Sequence, residues 1–267
     1  MLKTEERNVY SMHIDKMDTY QMLEIIQKEN ENAVKAVSKA INSISETIDI
    51  ISERMNNGGR LFYAGCGTSG RLGVLDASEC PPTFGVSQDV VIGIIAGGDK
   101  ALRNAVENSE DNYEAGKSDL EVYNITENDS VIGISVAGGA EYVIGALEYA
   151  KSFGAFTVAL TCNENTKIGN ICDIEIITDT GAEIITGSTR MKAGTAHKMV
   201  LNMISTSLMV KAGHVYENLM INLKPSNNKL RDRMIRIVCE ITDKSYDESE
   251  KLLSDNEFNI KNAVKNL

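Results

Sequence analysis

Four stretches of this 267-residue chain bring hydroxyls, carboxylates and glycines together in patterns that suit phosphate binding and proton transfer. The first, Gly65-Cys66-Gly67-Thr68-Ser69-Gly70, sets the hydroxyls of Thr68 and Ser69 among glycines. Between a strand and a helix it offers backbone amides and the positive end of a helix dipole to a single phosphate group. It also matches the G-x-G-x-x-G of dinucleotide sites, a motif that wants an acidic residue about 20 positions on, at the end of the next strand. Ile94-Ile95-Ala96-Gly97-Gly98 supplies none before Asp99, which argues against nicotinamide or flavin. The plainer alternative is that the glycines only let the strand turn tightly.

The second stretch, Thr186 to Thr195, holds Ser188 and Thr189 just ahead of an apolar run. These hydroxyls suit a second anion cradle or an ordinary N-cap. Lys192 follows on what would be the first turn, where a cation opposes the helix dipole and needs another reason to be present. The third stretch, Asp76 to Gly85, places Pro81 and Pro82 behind Glu79, and the expectation is a rigid turn that holds this carboxylate at the loop mouth as a general acid. The fourth, Asn104 to Asp111, carries Glu107, Glu110 and Asp111, and by itself reads as a solvated helix face.

The elements around these stretches read as an α/β protein. Residues 18 to 57 lack Gly and Pro and repeat apolar residues at helical spacing, predicting one long helix or two abutting ones stopped by Gly58-Gly59. Five short apolar runs follow, at Arg60–Ala64, Val90–Ile95, Ser130–Val136, Phe156–Leu160 and Ile174–Thr178, separated by helical stretches. That alternation predicts a five-stranded parallel sheet inside a three-layer α/β/α sandwich, with ligands bound beyond the carboxyl ends of the strands. A helix is expected from about Lys192 to Lys211. The expected units are an N-terminal helical segment (1–57), a sheet domain (58–225) and a small helical appendage (226–267).

Composition narrows the partners. With 27 basic and 38 acidic residues the net charge is −11, the wrong sign for binding a phosphate backbone, so nucleic acid is excluded. No run reaches the roughly 18 to 20 apolar residues of a bilayer span, and the first residues lack a secretory signal, so a cytoplasmic protein without membrane contact is expected. Five scattered cysteines and three histidines form no ligand pattern, so no metal site and no disulfide frame is expected. The absence of Trp argues against a stacking platform for bases or sugars.

The long block Gly65 to Gly85, together with Ile95-Ala96-Gly97-Gly98, Thr186 through Lys198, Thr4-Glu5-Glu6-Arg7-Asn8 and Leu230-Arg231-Asp232-Arg233, resembles the N-acetylmuramic acid 6-phosphate etherase family over nearly the whole chain. The resemblance implies a sugar isomerase (SIS) fold, a homodimer, and cytoplasmic recycling of cell-wall sugars without metal or organic cofactor. It implies a lyase that cleaves the D-lactyl ether of the sugar phosphate, giving N-acetylglucosamine 6-phosphate and D-lactate. By the family's motifs the proton donor falls on Glu79 and a second glutamate on Glu110. Gly67, Thr68, Ser69, Gly138, Gly139, Ser188, Thr189 and Lys192 are the expected substrate contacts. A sugar-phosphate sensor without catalysis and an aldose–ketose isomerase are the alternatives on the same fold.

This chain departs from the family in the loop after the third strand, where Val136-Ala137-Gly138-Gly139-Ala140-Glu141-Tyr142 replaces the usual A-S-G-R-T-P-Y. Loss of two hydroxyl contacts to phosphate predicts weaker binding by roughly 3 to 6 kcal/mol, unless the amides of Gly138 and Gly139 take over. A third reading has Glu141 repelling phosphate. The resemblance also leads to the expectation of a C-terminal helical appendage shorter than the family's. Residues 192–211 carry more apolar surface than one sheet face covers, so this helix is expected at the dimer interface, where His197 is either structural or reaches the partner's site.

Overall fold

The computed structural model describes residues 2–225 and 227–264. The glycine-free run forms two helices, α1 (Thr19–Lys39) and α2 (Ile41–Asn56), broken at Ala40. A capping box of Asp18 and Gln21 starts α1. The strands are β1 (Leu61–Gly65), β2 (Val91–Ile95), β3 (Ser130–Ile134), β4 (Phe156–Thr161) and β5 (Ile174–Ile177). All five pair in parallel, in the order β2-β1-β3-β4-β5.

Alternate residues of each strand point to opposite faces, and both faces are buried. Tyr63, Ile132 and Val158 pack against α1, α2 and α8 (Lys192–Lys211), and against α3 (Gly67–Phe84). Phe62, Val131 and Ala159 face the other layer, built from α4 (Asp99–Arg103), α5 (Tyr113–Glu121), α6 (Glu141–Ser152) and α7 (Lys167–Ile171). The expected three-layer sandwich is thus present. Beyond it lie a two-stranded ribbon, β6 (Val215–Tyr216) and β7 (Leu219–Met220), and three helices, α9 (Asn228–Thr242), α10 (Tyr246–Asp255) and α11 (Ile260–Val264). These helices enclose a cluster of their own around Met234, Val238, Leu253 and Ile260.

Two expectations need correction. Pro81 and Pro82 form no turn; they lie in the last turn of α3, which ends at Gly85. Each proline removes an N–H that would bond back one turn and crowds the carbonyl there, which is consistent with a helix that ends within a turn of them. Gly85 stops the helix with φ at 67° and donates its amide to the Pro81 carbonyl. The apolar residues of α8 are likewise not left over. Val200, Leu201, Ile204, Leu208 and Met209 are buried in the chain's own core, Met199 and Met203 pack at its edge, and only Val210 of the set stands exposed. The covering elements are α1, α2 and α3, all of which lie against α8, with α2 and α3 also against the sheet.

One buried carboxylate ties this side together. Asp76 on α3 accepts from Tyr63 Oη at 3.0 Å, Asn202 Nδ2 at 2.6 Å and Ser205 Oγ at 3.1 Å. Three donors from β1 and α8 satisfy it, as burial of a charge requires.

Candidate active site

Strand order reverses beside β1, whose neighbours are β2 on one side and β3 on the other, so a crevice opens between the loops that follow β1 and β3. A cavity of about 220 Å³ lies there, lined from β1–α3 by Cys66, Gly67, Thr68 and Ser69 and from β3–α6 by Ser135, Val136, Ala137 and Ala140. Thr189, Gly194 and Glu110 complete it. A wider depression, about 690 Å³, has a lining of one helix, α1, with no converging catalytic groups.

The β1–α3 loop lines this cavity with Cys66, Gly67, Thr68 and Ser69. The first amides of α3 point out of the helix without intrahelical acceptors, and its N-cap residue, Cys66, makes no side-chain cap. Close packing of the turn fixes their direction: a Cβ on Gly70 would stand 2.5 Å from the Gly65 carbonyl oxygen. Thr68 and Ser69 add hydroxyls beside these amides.

The second expected cradle is filled by the protein itself. Glu183, fully buried, accepts the Ala193 amide on the first turn of α8 at 3.0 Å, so its carboxylate occupies the helix N-terminus. Burial pushes the Glu183 pKa up, against the pull of the Ala193 and Lys192 amides and the Lys192 charge. Lys192 is 2% exposed and pairs with Glu29 of α1. Its reason for standing at a helix start is therefore internal, and it does not line the cavity. Thr189 does line it; Ser188 does not.

The loop after β3 sorts the remaining residues. Gly138 is buried and its amide already bonds Ser135, at 3.0 Å to the carbonyl and 3.1 Å to Oγ. Its φ of 71° and the Thr166 side chain, 2.3 Å from where a Cβ would stand, explain the glycine. Gly139 is exposed, with open space where a Cβ would stand, and neither glycine lines the cavity. Glu141 faces Lys167 at 2.7 Å and stays outside the cavity, so it does not confront a phosphate there. Ser135 was missed in the sequence. It could have been found as the hydroxyl that follows the apolar run of β3 at the switch point.

The two glutamates part company. The acidic run is a loop between α4 and α5, and not the expected helix face. The Tyr142 amide of α6 donates to the Glu110 carbonyl at 3.0 Å, which brings Glu110 to the cavity wall beside Cys66. Burial, then the Glu110 and Asp111 carboxylates, push the Cys66 thiol up to about 12, so it stays protonated. Glu79 is exposed on α3 and lies roughly 18 Å along the helix axis from Gly67, at about 1.5 Å per residue. One subunit does not bring Glu79 and Glu110 to the same cavity.

His197 is completely buried, with Nε2 3.4 Å from Cys162 Sγ, and lines no part of the site. Among the described residues no cluster of metal-ligating side chains forms and no helix is long and apolar enough to cross a membrane.

Comparison with known proteins bears on the fold and the family. The model of the glucokinase regulatory protein N-terminal SIS domain matches residues 43–151, and that of the SIS domain matches residues 100–207. Solved structures share the fold: a phosphoheptose isomerase from Francisella tularensis has a TM-score of 0.53 at 19% identity, covering 71% of this chain and 98% of its own. A phosphoheptose isomerase from Neisseria gonorrhoeae has 0.53 at 15%, covering 70% and 98%. In sequence, the chain is 55% identical to the N-acetylmuramic acid 6-phosphate etherase of Caldanaerobacter subterraneus subsp. tengcongensis, over 98% of this chain and 86% of that one. The etherase of Bacillus pumilus is 49% identical, with 98% and 87% covered. With about half the residues identical along nearly its full length, the chain belongs to the N-acetylmuramic acid 6-phosphate etherase family.

Proposed function

We propose that the chain is a carbon–oxygen lyase that cleaves the D-lactyl ether of N-acetylmuramic acid 6-phosphate, giving N-acetylglucosamine 6-phosphate and D-lactate. The observation that carries this reading is the position of Glu110, a carboxylate on the wall of a phosphate-sized cradle in a chain 55% identical to an etherase. The amides of the first turn of α3 and the hydroxyls of Thr68, Ser69, Ser135 and Thr189 hold the phosphate. In the open-chain sugar the aldehyde acidifies the hydrogen on carbon 2. Glu110 takes that proton, the electron pair forms the carbon 2–carbon 3 double bond, and the ether oxygen leaves with a proton from a general acid. Water then adds to carbon 3 while a proton returns to carbon 2.

The family resemblance implies Glu79 as the acid, and its exposure supports a site completed by a second copy of the chain. We place Glu79 of one protomer at the cavity of its partner, with Leu75, 48% exposed one turn earlier on the same face of α3, in the contact. This pairing would bury Glu79 and exclude water from the proton it delivers. The setting consistent with five free thiols is a reducing compartment, with cell-wall sugar recycling in the cytoplasm as the role.

Release of D-lactate from N-acetylmuramic acid 6-phosphate tests the reading, because an isomerase or a sugar-phosphate sensor releases none. Glu110→Gln should stop both lactate release and the exchange of the carbon-2 hydrogen with deuterated water. Exchange that persists would move the base elsewhere.

A further inference from the structure

A second cavity, about 200 Å³, adjoins the first and shares Cys66, Gly67 and Glu110 with it. Glu110 stands where the two meet. The lining of this second lobe differs in kind from the phosphate cradle. One wall is apolar, formed by Ala96, Ala101, Ala105 and Val106; the polar wall carries Arg71 of α3 together with Asn108, Ser109 and the carboxylates of Glu107 and Glu110. Of all the residues that line the lobe, Arg71 alone is cationic.

Arg71 is half-buried and underused. Its Nε donates to the Leu102 carbonyl at 3.1 Å and one terminal nitrogen, Nη2, donates to the Asn104 carbonyl at 3.3 Å. Both acceptors are neutral, and among the described residues no carboxylate comes within salt-bridge distance of the guanidinium. An arginine carries five donors and a permanent charge, so such a group next to a reaction site suits an anionic ligand, and a carboxylate best of all.

We infer that this lobe is the subsite for the departing three-carbon acid, with Arg71 holding its carboxylate and the alanine wall receiving its methyl group. The inference rests on the etherase reading and adds a specificity-determining residue to it. A sugar phosphate anchored by Thr68 and Ser69 passes Glu110 at carbon 2, and the substituent on carbon 3 then extends into the second lobe. A sugar without the acid leaves Arg71 unpaired, so the lobe discriminates the ether substrate from its own sugar-phosphate product.

Binding of a non-cleavable analogue tests this without turnover. The analogue carries a methylene in place of the ether oxygen, and is compared by calorimetry with its primary amide and with N-acetylglucosamine 6-phosphate. The unaltered chain should prefer the carboxylate to the amide by at least about tenfold. Arg71→Met should erase that preference, Arg71→Lys should keep part of it, and the affinity for N-acetylglucosamine 6-phosphate should move less than about threefold in either variant. A preference that survives Arg71→Met would overturn the assignment. So would an equal loss for all three ligands, which would make Arg71 a brace for the 102–104 segment. Lactate release is measured separately. An intact carboxylate preference without lactate release defeats the etherase reading alone, whereas lactate release without a carboxylate preference defeats the Arg71 assignment alone.

Discussion

Lys192 and Glu29 form an ion pair whose side chains are 3% and 8% exposed, joining the first turn of α8 to α1. Asn8 Nδ2 donates to the same Glu29 carboxylate at 2.9 Å and to the Ala182 carbonyl at 3.0 Å, which pins the N-terminal residues over the loop before α8. Lys192→Met would leave the Glu29 carboxylate buried without its cation. The expected loss is about 3 to 5 kcal/mol, read as a lower urea midpoint, and Glu29→Gln in the same chain should recover most of it. A Lys192→Met protein of unchanged stability and weakened phosphate binding would return Lys192 to the substrate site.

The distance between Glu79 and the cavity makes a prediction about subunits. Glu79→Gln and Glu110→Gln chains should each be inactive, since loss of an acid or base typically costs 10²- to 10⁴-fold. If each active site takes Glu79 from the partner, mixed and re-equilibrated variants should regain about a quarter of the unaltered activity, because about half the dimers are mixed and each has one intact site. Mixtures that stay inactive would place both glutamates in one subunit's site, and a Glu79→Gln chain that stays active by itself would remove Glu79 from the mechanism.

The altered loop after β3 makes another. Ala137 and Ala140 both line the cavity, and the Gly138 amide that could have replaced a hydroxyl is already engaged with Ser135. Ala137→Ser with Ala140→Thr should therefore tighten the muramic acid phosphate by at least about tenfold, measured by calorimetry on the Glu79→Gln background. Ala140 is also the uncapped N-cap of α6, so the threonine alone should add about 0.5 to 1 kcal/mol of stability. An unchanged dissociation constant would mean that backbone amides already do the holding.

Acid should unfold the chain partly through His197. Burial pushes its pKa down to about 4, below the ordinary value of about 6.5 that it has when unfolded. The folded chain keeps the ring neutral while the unfolded chain charges it, so this contribution is fully present above about pH 6.5 and shrinks as pH falls towards 4. The loss reaches roughly 3 kcal/mol by about pH 4. Urea unfolding of His197→Gln at pH 7 and pH 4.5 should show a shallower fall than the unaltered chain; parallel curves would contradict the burial argument.

What the sequence determined by itself was local. Apolar spacing and glycine punctuation placed five strands, the break-prone helix over 18–57, and α8 to the residue, because backbone periodicity and turn chemistry act between near neighbours. The Gly65–Gly70 loop was legible for the same reason: its glycines, hydroxyls and helix start are contiguous. The role proposed for Glu110 came from resemblance and not from its acidic neighbourhood, which reads equally well as solvated surface. Tertiary structure decided the rest through partners far apart in sequence. Lys192 meets Glu29 across 163 positions, and Asn202 reaches Asp76 across 126. Glu183 takes the helix end that Ser188 and Thr189 were expected to offer a ligand, and α3 runs on through two prolines, carrying Glu79 away from the loop it was expected to serve. A carboxylate or a lysine in a sequence has no fixed meaning, because its charge must be matched wherever the fold buries it, and the matching group is chosen by packing.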